Sequence, residues 1–180
     1  MISDIEAKVN EKLIDRPLSK NQKKAIAEVV AIAAIKFSIL RQAPGRDVIF
    51  DTEKSVSFEG DSGPYLQYTA VRASSVIKKG EGEGLVPKSV RPAGDLNILE
   101  RLLYQFPEVV ERAGVDLAPH YIVTYLLEVA SAFNGFYGGN KIIDSDNVVM
   151  SEWRLALTEA TRRVLVNGLE ILGIRVPDQM

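Results

Sequence analysis

The sequence predicts an all-α fold: a helical bundle preceded by a helical connecting segment. Three observations carry this. Apolar residues recur at steps of three and four along most of the chain. Prolines and glycines stand where helices start and stop, not between alternating apolar and polar residues. Of 180 residues, 46 % are apolar, which suffices for one sizeable core.

The elements follow in order. A weaker helix is expected over Ile2 to Leu13, before Pro17. Ser19 and Gln22 form a possible S-x-x-Q capping box, which starts a helix to Leu40. Its residues Ile26, Val30, Ala33, Phe37 and Leu40 share one face. Asp47-Val48-Ile49-Phe50-Asp51 is β-branched at its centre and reads as an extended segment. Glu59-Gly60-Asp61-Ser62-Gly63-Pro64 reads as a compact loop. Pro64 suits the first turn of a helix to about Lys79. Gly80-Glu81-Gly82-Glu83-Gly84 then reads as a flexible linker or surface loop. Asp95 is placed to cap a helix through Gln105, and Pro107 and Gly114 bracket a short one. Pro119 opens a long helix with Ile122, Leu126, Val129, Phe133 and Phe136 on its face. After the turn-rich Tyr137 to Asp146 comes a last helix with the stripe Trp153, Leu157, Ala160, Val164, Gly168 and Ile171. It is expected to end near Gly173.

Charge is nearly balanced, 22 basic against 24 acidic residues for a net of −2. That argues against a binder that works through bulk positive charge and leaves local basic faces open. The chain has no cysteine and one histidine, His120, so thiolate chemistry and a multi-histidine metal site are excluded. The charged amino terminus does not resemble a signal peptide, and Ala25 to Leu40 is too short and too charged to span a membrane. A soluble, cytoplasmic protein is the resulting reading. No P-loop, GxSxG or HExxH motif is present. The loop carboxylates Asp144 and Asp146 read as a solvated pair, and His120 as a surface or half-buried side chain at a helix start.

The helix after Pro64 is more informative. At 100° per residue, Leu66, Ala70, Ala73 and Ile77 face one way. Tyr65, Tyr68, Arg72 and Lys79 share an adjacent, more polar side. Tyrosines beside cations can stack unpaired bases while holding a phosphate backbone. Amphipathic edge residues of a core would have the same composition. In Phe133-Asn134-Gly135-Phe136-Tyr137 the two phenylalanines fit the core stripe. Asn134 and Tyr137 lie off it and can offer an amide and a ring. Arg154, Arg162 and Arg163 read as a solvated face, and Trp153 as core.

Taken together, several segments resemble the C-terminal part of an arginyl-tRNA synthetase. They are Val48-Ile49-Phe50-Asp51 and the string Ser57-Phe58-Glu59-Gly60-Asp61-Ser62-Gly63-Pro64-Tyr65-Leu66-Gln67-Tyr68 followed by Arg72. Upstream, Ile32-Ala33-Ala34-Ile35-Lys36-Phe37 is similar to the family's connecting segment. Phe133-Asn134-Gly135-Phe136-Tyr137 and Val164 to Ile174 resemble its closing helices, and the Pro177-Asp178-Gln179-Met180 end resembles its Pro-Glu-Arg-Met terminus. The resemblance covers nearly the whole chain.

The resemblance implies a helical segment over 1–56, continuing from a catalytic domain, and a DALR-type anticodon-binding bundle over 57–180. Its partner would be the anticodon stem-loop of an arginine tRNA, with neither membrane nor DNA involved. The tRNA contacts implied are Tyr65, Tyr137 and Met180, the loop glycines Gly60 and Gly63 through their backbone, and Tyr68, Arg72 and Asn134. The HIGH-like and KMSK-like signatures are missing, so this stretch alone would not adenylate arginine. No cofactor is expected in it; ATP and magnesium would belong to the full-length ligase. The reading is thus a piece of a larger synthetase or a truncated gene product. The competing reading is a stand-alone interaction or tRNA-modification partner that uses the same helical domain.

Overall fold

The computed structural model describes residues 2–93 and 96–180. All regular structure among them is helical: α1 (Ile2–Lys12), α2 (Lys20–Leu40), α3 (Thr52–Ser55), α4 (Gly63–Gly82), α5 (Ile98–Tyr104), α6 (Phe106–Val115), α7 (His120–Gly139) and α8 (Val148–Ile171). The all-α expectation holds.

Local chemistry sets most of the boundaries. The Ser19 capping box forms as expected: Gln22 N–H donates to Ser19 Oγ at 3.3 Å, and Ser19 N–H to Gln22 Oε1 at 2.9 Å. Two of the orphan donors at the helix start are thereby satisfied. Ser62 Oγ accepts from Tyr65 N–H at 3.0 Å, with Pro64 in the first turn of α4. Asp95 lies outside the described residues. Asn97 is the residue that caps α5, in a second capping box with Glu100.

Two cores result, and α2 serves both. Its Ala33 and Phe37 enter the main core with Leu66, Ala70 and Ala73 of α4, Leu126, Val129 and Phe133 of α7, and Leu155 and Leu165 of α8. Its Ile26, Ala27, Val30 and Ala34 pack with Ile5, Val9 and Leu13 into a smaller core. Half-buried Phe50, Phe58 and Met180 close the edge of that smaller core. Residues 47–51 form no regular structure, and Ile49 is exposed.

Three expectations need correction. The glycine-rich stretch after Lys79 does not begin as a loop, because α4 continues to Gly82. Gly80 is buried there, and a Cβ on it would come within 2.7 Å of Leu155. The glycine therefore permits close approach of α4 to α8, which is a packing requirement. Likewise α7 runs through Gly138 to Gly139, past the expected turn at Tyr137. In α8 the expected Leu157 and Gly168 are buried, but the rest of the buried face is Ser151, Leu155, Thr158, Thr161, Leu165 and Leu169, while Ile171 is exposed and Trp153, Ala160 and Val164 are half-buried. Hydropathy misplaces this stripe because two of its members are threonines. Their hydroxyls donate to the Arg154 and Leu157 carbonyls at 2.8 Å, and satisfied hydroxyls can be buried.

On the outer side of α8, Arg162 and Arg163 both bind Glu159, and Arg162 does so through two bonds at 2.8 and 2.9 Å. These hydrogen bonds, Arg162 first, hold the Glu159 carboxyl down at about 2 despite partial burial. A carboxyl depressed in the folded state stabilises above its unfolded pKa and loses that contribution as pH falls toward the folded value. Glu159→Gln should therefore lower stability by about 1–3 kcal/mol at neutral pH. The deficit should shrink as pH falls from 4.5 toward 2, followed by thermal melts across that range.

Candidate nucleic-acid interface

The polar edge of α4 meets the C-terminal half of α7 in a hollow of about 410 Å³. It is lined by Arg16, Phe58, Glu59, Gly60, Tyr65, Tyr68, Arg72 and Asn134. Tyr65, Tyr68 and Arg72 reach it together because steps of three and four share a helix face.

Asn134 ties the two helices. Its Nδ2 donates to the Tyr65 hydroxyl at 2.9 Å and to Thr69 Oγ1 at 3.2 Å. Its Oδ1 accepts from Arg72 Nη1. Thr69 in turn donates to the Tyr65 carbonyl at 2.9 Å. The guanidinium of Arg72, held this way, lies 4.8 Å from the Tyr68 ring centroid and 5.4 Å from that of Tyr137. This is cation–π distance for both rings. Arg72 forms no salt bridge among the described residues, so its charge is paired only with neutral dipoles. The hydrogen bond and charge of Arg72, with Arg16 acting in the same direction, hold the Tyr68 phenol below its ordinary pKa. Tyr125 shows the opposite: burial, with the Glu128 charge, raises its phenol.

The other expected residues are distributed around this arrangement. Tyr137 is 41 % exposed, enough to present part of its ring to solvent. Gly60 sits at an open position of the loop with φ of +74°. Gly63 is buried, and a Cβ there would stand 2.6 Å from the Ala33 carbonyl oxygen. Its lack of a side chain is explained by the α2–α4 crossing and not by approach to a ligand. Met180 is outside the hollow's lining and packs on the smaller core. Gln67 is fully buried and donates to the Arg175 carbonyl at 2.6 Å, which fastens the C-terminal tail to α4.

Sequence reasoning missed Arg16 and Phe58. Arg16 comes from the α1–α2 turn, far from α4 in sequence, and only the packing of α1 on α2 brings it to Tyr68. Phe58 lies 6.0 Å from Tyr68, ring to ring, and was visible only as part of the loop string.

Other surface features offer less. The larger hollow beside α8, about 670 Å³, contains Arg162 and Arg163, whose charges are committed to Glu159. His120 is half-buried with its ring 4.5 Å from Tyr121. Asp144 is paired with Lys141 at 2.7 Å in the α7–α8 loop. Among the described residues no cluster of three or more His, Cys, Asp or Glu could hold a metal, and no helix is long and apolar enough to cross a membrane.

Residues 66–180 match the model of the DALR anticodon binding domain. The chain belongs to that family. The DALR match covers Tyr68, Arg72 and Asn134 of the hollow, and Tyr137 beside them. The chain is also 41 % identical over 172 residues to the arginine–tRNA ligase of Pyrococcus furiosus, covering 91 % of this chain and 27 % of that protein. To the arginine–tRNA ligase of Archaeoglobus fulgidus it is 34 % identical over 184 residues, with 100 % of this chain and 33 % of that protein covered. In structure it is similar to the arginyl-tRNA synthetase of Thermus thermophilus, with a TM-score of 0.73 at 30 % identity over 99 % of this chain and 31 % of that one. This DALR chain thus spans about a third or less of the length of these relatives.

The electrostatics of the hollow can be read out directly. In an ultraviolet titration Tyr68 should ionise below the ordinary phenol range and Tyr125 above it. Arg72→Gln should move the early step up toward the ordinary phenol range. If the early step persists unchanged, Arg72 is not its cause.

Proposed function

We propose that this DALR domain recognises the anticodon loop of an arginine tRNA, as the C-terminal part of an arginine–tRNA ligase. The observation that carries the reading is Arg72 held between the rings of Tyr68 and Tyr137 by the Asn134 carboxamide, in a hollow open to solvent. Single-stranded loops are recognised by splaying bases out, stacking them on aromatic or guanidinium planes and bonding their exposed edges. The hollow supplies rings from Tyr65 and Tyr68, a guanidinium from Arg72, and polar edges from Asn134 and the backbone near Gly60, and Tyr137 adds a ring beside Arg72 outside the lining. Met180 would add a polarisable apolar contact from the tail.

In this reading residues 57–180 form the recognition bundle and 1–56 the helical segment that would connect to a catalytic domain. ATP, magnesium and the aminoacylation chemistry would belong to that remainder of a longer chain, acting in the cytoplasm. The modest net charge of −2 implies that base stacking and local cations, not bulk attraction, supply the affinity.

The test is a low-salt titration of this chain with an arginine tRNA and with a copy whose anticodon bases are changed. Tighter binding to the authentic anticodon is expected, and equal binding would sink the reading. Tyr65→Ala or Tyr137→Ala should each weaken binding by roughly 1–3 kcal/mol if the ring stacks on one base. Arg72→Ala should weaken it and also flatten its salt dependence. Folded variants that bind like the parent would remove those residues from the site.

A further inference from the structure

The positive charge of this chain is unevenly placed. Between Lys8 and Lys24 stand six cations, Lys8, Lys12, Arg16, Lys20, Lys23 and Lys24, against two carboxylates, Glu11 and Asp15. That is an excess of four in a chain whose net charge is −2. Lys8 is paired with Glu53, and Lys23 donates to the Ile14 carbonyl at 2.7 Å. Among the described residues, Lys12, Arg16, Lys20, Lys23 and Lys24 form no salt bridge. Lys12, Arg16, Lys20 and Lys24 are exposed.

Helix stability accounts for Lys12, in the last turn of α1, but not for the cations of α2. The first turn of α2 contains no acidic residue, and Lys20 and Lys23 sit at the positive end of the helix dipole, where cations are disfavoured. The cluster is also anchored at one point to the candidate interface, since Arg16 lines the hollow beside Tyr68. Lys12 and Lys20 lie four residues to either side of Arg16, so each is within about 14 Å of it along the chain. Lys24 is one helical turn past Lys20. These spans exceed the Debye length at physiological salt, roughly 8 Å, so the cations would each meet a different phosphate of one strand and not one shared point.

We propose that the α1–α2 turn, with Lys12, Arg16, Lys20 and Lys24, is a phosphate-binding surface that extends the RNA site beyond the residues 66–180 of the family match. The inference rests on the anticodon-loop reading above. Bases would occupy the aromatic hollow, Arg16 would stand at its rim, and the sugar–phosphate strand leaving the hollow would cross the lysines. Such contacts position the RNA without reading its sequence. They therefore predict affinity and salt dependence that change together while base selectivity does not.

The experiment compares the parent chain with Lys12→Ala/Lys20→Ala/Lys24→Ala, using fluorescence anisotropy of an arginine-tRNA anticodon stem-loop across a salt series. A control, Arg46→Ala/Lys78→Ala/Arg101→Ala, removes three exposed cations elsewhere and changes net charge equally. The turn variant should bind about tenfold or more weakly at low salt, with a log–log salt slope shallower by about 2. Its preference for the authentic anticodon should match the parent's, and its melting temperature should be unchanged or higher because α2 sheds unfavourable charge. Parent-like affinity and slope in the turn variant would overturn the inference and leave the cations to some acidic protein surface. An equal loss in the control would overturn it too, as an effect of net charge. Failure of the parent to distinguish the two anticodons would instead overturn the reading on which the inference rests.

Discussion

One carboxamide organises the candidate interface. Asn134 gives both its amide hydrogens to α4, on Tyr65 and Thr69, and accepts the Arg72 guanidinium on its oxygen. Without it, Arg72 would keep only the two rings as neighbours and lose the acceptor that fixes its guanidinium against α7. With it, the guanidinium is oriented by a neutral partner and keeps its full charge. A carboxylate at the same place would orient Arg72 equally well and cancel the charge that an RNA ligand needs. The choice of amide over acid is therefore a choice between a structural ion pair and a binding site.

The contrast with α8 makes the same point. Arg162 and Arg163 each carry the same formal charge as Arg72, yet both are bound to Glu159, which offsets part of their field. A near-zero net charge therefore says little about where this protein can attract an anion. What matters is which cations lack carboxylate partners, and among the described residues these include Arg72 on α4 and Lys12, Arg16, Lys20, Lys23 and Lys24 at the α1–α2 turn. The helix that links these places is α2, which contributes Phe37 to the main core and Val30 to the smaller one. Gly63, pressed against Ala33 of the same helix, sets how closely α4 can lie beside it.

The sequence made much of this legible wherever the signal is local. The Ser19–Gln22 cap, the apolar faces of α2, α4 and α7, and the grouping of Tyr65, Tyr68 and Arg72 all follow from spacing within a few turns. The same logic was available for Asn97 and Glu100 but was spent on Asp95. Buried Thr158 and Thr161 defeat a hydropathy stripe, since their hydroxyls are satisfied inside the helix. Gly80 looked like flexibility because its reason, a leucine on another helix, is distant in sequence. Arg16 was invisible for the same reason. Gln67 shows why the string Gly63 to Tyr68 is so specific: Gly63 packs on α2, Leu66 fills the core, Tyr65 and Tyr68 line the hollow, and Gln67 holds the tail. Adjacent residues serve four different neighbours, so few substitutions are neutral.

The brace also has a temporal side. Asn134 is 69 residues after Tyr65 and 62 after Arg72. At typical synthesis rates of about 5–20 residues per second, the aromatic–arginine face of α4 would leave the ribosome roughly 3–14 seconds before its partner. For that interval the nascent chain carries exposed tyrosines and an untethered cation with no bundle to close on. The hollow thus cannot close until α7 has followed α4 out of the ribosome, and for that interval Arg72 has no amide to orient it.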